Sequence, residues 1–155
     1  MIEERFWAKV DRTVECWLWT GAQVISKSGR YGKLKTDGKM KYAHRVSYEM
    51  SVGEIPAGMQ IDHLCHNTLC VNPFHLRAVT QKQNMENRKG AQSNSSSGIR
   101  SVSWSRHTGK WKVQLTHHRK TFYFGLFDNL EEAAAVAKAA RLQLFTHNDL
   151  DRETT

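Results

Sequence analysis

Between Asp62 and His75 the chain gathers one aspartate, three histidines, two cysteines and two asparagines into 14 residues. These are the side chains that hold metals and move protons. Cys65 and Cys70 form a C-x4-C pair, and His75 follows Cys70 with the same gap of four. Thiolates and an imidazole so spaced suit a tetrahedral zinc ion, which needs a fourth ligand. The remaining cysteine is Cys16, in ECWLWTG. Cys16, Cys65, Cys70 and His75 would make a Cys3His structural Zn2+ site, stapling the start of the chain to the later cluster. A small unit gains from such a staple. The competing reading is three buried, inert cysteines.

A second set overlaps the first. Asp62 stands beside His63, and Asn84 follows 21 residues after His63. A carboxylate and an amide offer hard oxygen ligands, which suit Mg2+ and leave positions for water and phosphate. A neutral imidazole, with an ordinary pKa near 6.5, can take a proton from that water. The chemistry would be one-metal phosphodiester hydrolysis. On residue types alone an Asp-His pair is usually structural.

The elements that must position these groups fall into two units. In the first, EERFWAKV predicts a short helix and CWLWTGA opens a strand. RYGKLKTDGKMKYA predicts a hairpin turning at Asp37-Gly38. HRVSYEMSVG predicts a helix ending at Gly53, IDHLC a strand, and VTQKQNMENRKG a closing helix. NRKGAQSNSSSG, residues 87–98, is polar and serine-rich and reads as a flexible linker with a span of roughly 17–21 Å. In the second unit GIRSVSWS, KWKVQL and KTFYFGLF alternate in the period-two manner of strands. DNLEEAAAVAKAARLQLF is a helix with Asp128 or Asn129 as N-cap and a stripe of small residues. The expected boundaries are 1–90, a linker at 87–98, a second domain at 98–147 and a frayed tail at 148–155. The expected class is α+β. Phe6, Trp7, Trp17 and Trp19 are expected in the core of the first unit.

YAHRVSYEM, then IDHLCHNTLCVNPFHL, then QNMENR together resemble the HNH, or His-Me finger, endonucleases with a ββα-metal core, and most of all their homing members of the HNH and His-Cys box groups. That resemblance implies His63 as general base, Asn84 and Asp62 as ligands of a catalytic Mg2+ or Mn2+, and Cys65, Cys70 and His75 on zinc with Cys16 upstream. It also implies Arg45, beside His44, near the scissile phosphate as a transition-state stabiliser. If His75 binds zinc it cannot orient His63, so a backbone carbonyl must hold that imidazole.

The second unit resembles the ethylene-response-factor type of DNA-binding domain through GIR, W-x5-KW, YFGLF and EEAAAVAKAA. That family is a three-stranded antiparallel sheet packed on one helix. Its DNA contacts fall on Arg100, Trp104, Arg106, Lys110, Trp111 and Lys112. Trp111 has an alternative place in the core.

Charge agrees with a polyanionic partner. The net charge is +8. From Gly98 to Phe127 there are six basic residues and no acidic one. Such a segment suits phosphate contacts to double-stranded DNA. No apolar run reaches the roughly 18 residues of a membrane span, and MIEERFWAKVDR has no signal-peptide core. The expected compartment is the cytoplasm, where thiols stay reduced, so metal or catalysis outranks a disulfide. The function expected is a metal-dependent, phage-type free-standing DNA endonuclease. The rivals are a DNA-binding regulator on a zinc-stapled nuclease-like scaffold, and a cysteine redox sensor. A monomer would nick and a homodimer would cut both strands; the sequence fixes neither.

Overall fold

A computed structural model describes residues 1–153, as two compact units divided between Gln81 and Lys82. The class is mixed α+β, built on small antiparallel sheets. No helix among the described residues is long and apolar enough to cross a membrane.

The first unit opens with helix α1 (Ile2–Trp7) and strands β1 (Val10–Arg12) and β2 (Trp17–Trp19), which pair antiparallel. Strands β3 (Gln23–Ser26), β4 (Gly29–Thr36) and β5 (Lys39–Tyr42) form a three-stranded sheet. Asp37 and Gly38 turn β4 into β5 with φ of 50° and 77°. Both are left-handed, as a two-residue hairpin requires. Helix α2 (Ala43–Ser51) follows at once, and Gly53 reverses the chain with φ of 133°. Strand β6 (Gln60–His63) then pairs with β7 (Leu76–Val79), with a 3-10 turn at Pro73–His75 between them.

Aromatic side chains hold this unit together, as expected. Phe6 and Trp19 are buried with Leu34, Ala43, Val46 and Val71, while Trp7 and Trp17 pack at the margin. Trp19 donates its indole N–H to the Ala22 carbonyl at 2.9 Å, which satisfies the one polar atom that burial would orphan. Gly21 and Gly32 leave the space that the indole fills. Arg12 lies over the Trp7 and Trp17 rings at 4.7 and 4.4 Å, a cation–π contact on the outer side.

The second unit begins on helix α3 (Gln81–Glu86) and holds strands β8 (Val102–Ser105), β9 (Lys110–His117) and β10 (Lys120–Phe127), helix α4 (Leu130–Leu144) and helix α5 (Asp149–Glu153). The sheet order is β8-β9-β10, antiparallel throughout, with an irregularity between Tyr123 and Gly125. Asn129 is the N-cap of α4, accepting from the Glu131 and Glu132 amides. Ala133 and Ala137 are fully buried against Val102 and Val113. Small side chains let α4 lie close on the sheet.

Three features differ from the sequence-based expectation. The units divide earlier than residue 90, because the end of α3 is built into the second unit. Glu86 is 3% exposed and accepts from Lys82, the Thr146 amide and hydroxyl, and the His147 amide. Burial alone would raise its pKa, but the Lys82 ammonium and these amides outweigh it and hold the carboxyl below its ordinary range. Next, the stretch expected as a flexible linker carries no helix or strand but is hydrogen-bonded. Arg100 donates to the Arg88 carbonyl, Ser97 to the Ile99 and Val102 carbonyls, and Ser96 accepts from the Trp104 amide. Last, the tail expected to fray contains α5. Arg141, 6% exposed, grips Asp151 through Nε at 2.7 Å and Nη2 at 2.8 Å. Thr154 and Thr155 lie outside the described residues.

Candidate functional site

Two backbone connections bring Cys16 to the hairpin cluster. The Trp19 amide donates to Leu69 at 2.9 Å and the Val71 amide to Trp17 at 2.7 Å, so β2 runs beside the 69–71 segment. Asn72, buried, works on both sides of the join. Its side chain accepts from the Phe74 amide, capping the 3-10 turn, and donates to the Glu15 carbonyl at 2.9 Å. This is the turn role expected of an asparagine before proline.

The result is a Cys16, Cys65, Cys70 and His75 cluster whose ligand atoms all lie within 4.8 Å of one another. His75 Nδ1 is 3.7 Å from Cys16 Sγ and 3.6 Å from Cys70 Sγ. A tetrahedral zinc ion with metal–sulfur bonds of about 2.3 Å and metal–nitrogen bonds of about 2.0–2.1 Å has S···N edges of about 3.6 Å. The residues therefore fit the ion in donor type and in spacing. Electrostatics agree. Hydrogen bonding from the Cys70 thiol, against a smaller opposing effect of burial, pulls the Cys65 thiol down to about 4. Cys70 is pushed up by its hydrogen bond to Cys65, and Cys16 by burial. A divalent ion is what would let all three thiols ionise together.

His63 ends β6, 6% exposed. Its Nε2 lies 3.2 Å from the Cys70 carbonyl oxygen. A carbonyl only accepts, so Nε2 carries the proton and Nδ1 keeps the lone pair. The backbone carbonyl expected to hold this imidazole is thus that of Cys70. Burial lowers the pKa of His63, which keeps the ring neutral near pH 7. The ring meets His44 edge to face, with centroids 4.9 Å apart.

Asp62, next in β6, is paired in register with Arg77 of β7. Arg77 donates to Asp62 Oδ2 from Nε at 3.1 Å and from Nη2 at 3.0 Å. As a hard oxygen donor Asp62 suits Mg2+, but one of its oxygens is already held by a guanidinium. Sequence reading missed Arg77. The signal was available, since Asp62 and Arg77 fall opposite each other once β6 and β7 are paired. Asn84 stands on α3, within the second unit. Arg45 and His44 occupy the first turn of α2.

The candidate DNA-contact residues of the second unit separate into two groups. Val113 and Leu115 are buried beneath α4, and Trp111 packs with that cluster on the same side of β9. Trp104 is its cross-strand partner, ring to ring at 4.8 Å, and is 43% exposed. By strand alternation Lys110 and Lys112 lie on the opposite, open face. Lys110 also pairs with Asp128 at 3.0 Å, and Arg106 is exposed in the turn before β9. Arg100 has structural work. It donates to the Glu86 and Arg88 carbonyls at 2.9 and 2.8 Å, and burial lowers its pKa. The strand position does not reveal that duty, because its acceptors are backbone atoms.

Residues 41–86 match the HNH endonuclease family model. The chain is also 34% identical over 98 residues to Protein 3.8 of Escherichia phage T7, a match covering 63% of this chain and 80% of that protein. The chain belongs to the family of Protein 3.8, with an HNH endonuclease domain. Protein 7.7 of the same phage is 40% identical over 72 residues, covering 46% of this chain and 53% of that protein. Protein 2.8 is 38% identical over 71 residues, with 44% and 45% covered. The chain thus spans about half the length of these last two relatives. No solved structure matches significantly. The HNH domain takes in α2, β6, the turn, β7 and α3, and so includes His44, Arg45, Asp62, His63, three of the four cluster residues, and Asn84.

Proposed function

We propose that the protein is a metal-dependent endonuclease that hydrolyses phosphodiester bonds in duplex DNA, of the free-standing phage homing type, and that residues 60–86 are its ββα-metal module. The observation that carries this reading is the clamp on His63. Its Nε2 proton is held by the Cys70 carbonyl at 3.2 Å, so Nδ1 is the atom left to accept. Burial holds the ring neutral, ready to take a proton from an attacking water. Arg45, in the first turn of α2, supplies positive charge where negative charge develops on the phosphate.

The donor set suits two cations of different kinds. Cys16, Cys65, Cys70 and His75 would hold Zn2+ as a structural staple. Asp62, a hard oxygen donor, suits Mg2+ or Mn2+, whose chemistry is to stabilise charge on the phosphate and the leaving oxygen. The open face of β9, with Lys110 and Lys112, and exposed Arg106 support duplex DNA binding by the second unit in the ethylene-response-factor manner. The family and the phage relatives support a host cytoplasmic setting.

Supercoiled plasmid and phage or host DNA incubated with the protein in Mg2+ test the reading. Cleavage that disappears without Mg2+ and in His63→Ala is the expected result. Nicks alone would indicate a monomer, and linear product a paired site. Absence of cleavage with salt-sensitive binding retained would instead favour a regulator.

A further inference from the structure

We propose that Gln114, midway along the open face of the β8-β9-β10 sheet, reads an adenine in the major groove, so that the recognised site has an A·T pair at its core. This deepens the duplex-binding reading of the second unit and rests on it.

The first observation is which side chains the open face offers. Val113 and Leu115 are buried, so Lys112, Gln114 and Thr116 of β9 point the other way. Their cross-strand partners on β10 are Leu126, Tyr123 and Thr121, which share that face. Ser103 of β8 flanks Lys112 on its other side. No arginine stands on β8, β9 or β10. Arginine is the commonest reader of guanine, and the three between Gly98 and Phe127 have other places. Arg100 is tied to the Glu86 and Arg88 carbonyls, while Arg106 and Arg119 lie in the turns at the two ends of β9.

The Gln114 amide is the one planar group on these strands that both donates and accepts side by side, and it is exposed. A carboxamide matches adenine, donating to N7 and accepting from the N6 amino group. Directly across from it stands Tyr123, 59% exposed, with Leu126 beyond the irregularity. These give apolar surface where the paired thymine shows its C5-methyl group. The Thr116 and Thr121 hydroxyls lie 3.1 Å apart and serve each other.

The second observation is where the charge sits. Arg106 and Lys110 mark one end of β9, and Arg119 and Lys120 the other, with Gln114 midway. Eight residues of strand span roughly 26 Å, against about 12 Å for the major groove. The ends of the strand can therefore meet phosphates on both walls while its middle lies over base edges. The β9–β10 turn fits this division. His118 and Arg119 are both left-handed, with φ of 48° and 63°, a conformation that side chains other than glycine hold at a cost. A guanidinium retained on so strained a tip suits a phosphate contact.

Selection from a duplex library with a randomised central segment tests this on the full chain, without added Mg2+ so that no strand is cut. The bound pool should converge on sites that share an A·T pair. Gln114→Ala should lose roughly tenfold of the preference for that pair over G·C and keep its binding to random duplex. Gln114→Arg should move the preference to G·C. Arg119→Ala should weaken all duplexes alike and make the salt slope shallower by about one phosphate. A pool that does not converge, a G·C pair at its core, or an unchanged preference in Gln114→Ala would overturn the assignment and leave duplex binding and the nuclease standing. A wild type with no salt-sensitive binding to any duplex would overturn both the assignment and the reading under it. A wild type that selects the A·T pair but never cleaves in Mg2+ would keep the assignment and remove the nuclease.

Discussion

His63 is set up by atoms that residue types do not announce. The run from His63 to Asn84 marked the histidine in the sequence, but its partner is a main-chain oxygen of Cys70, invisible in any list of side chains. The same holds for Arg100, whose acceptors are the Glu86 and Arg88 carbonyls. What was legible at this scale was chemistry with a fixed spacing, the Cys3His cluster above all. The lowered pKa of His63 fixes the sign of a pH effect. A general base works when neutral, so the rate is lost as pH falls through the folded pKa. The acid limb of kcat/KM for DNA cleavage should therefore lie below the ordinary 6.5 of histidine, with Asn72 and Asp62 intact. A limb at or above 6.5 would remove His63 as the base. Stability follows the same sign through His44. Its contribution is whole above about pH 6.5 and is lost as pH falls toward about 3, because the unfolded chain binds the proton that the fold excludes.

At the scale of elements the sequence spoke clearly where backbone geometry demands a particular residue. Asp37-Gly38 turned the hairpin, and Asn129 capped α4. It was silent on β1 and β3, each too short to show a period, and on α5, which is fastened by the Arg141–Asp151 pair and by hydrogen bonds from Arg152 to Asn148 and Phe145. Close packing also sets elements. A Cβ on Gly32 would lie 2.4 Å from Trp19 Cδ1 and 2.9 Å from the Ala43 Cβ, so β4 can meet the indole only as glycine. Gly32→Ala should cost about 1–3 kcal/mol by overpacking, read as a lower thermal midpoint. Gly38→Ala meets nothing within 4 Å but is held at φ of 77°, and should cost about 1 kcal/mol through backbone strain alone. Equal midpoints for Gly32→Ala and wild type would mean that the indole does not fill that space.

For the whole molecule, the division at Gln81 gives each unit its own fastening: the Cys3His cluster in the first, the Arg141–Asp151 pair in the second. A chain ending at Asn148 leaves Arg141 buried without its carboxylate, and breaking such a pair typically costs about 3–5 kcal/mol. Its thermal unfolding should start well below that of the full chain; an unchanged midpoint would return α5 to the status of a frayed end. The break at 81 was hidden in the sequence because polar composition points to residues 87–98, while the fastening runs through one buried carboxylate, Glu86. Cys70 joins two duties across the first unit. Its sulfur belongs to the cluster and its carbonyl orients His63. Whatever sets the geometry at Cys70 therefore reaches both places at once: a shift of that one residue moves a cluster sulfur and the acceptor that aims the imidazole.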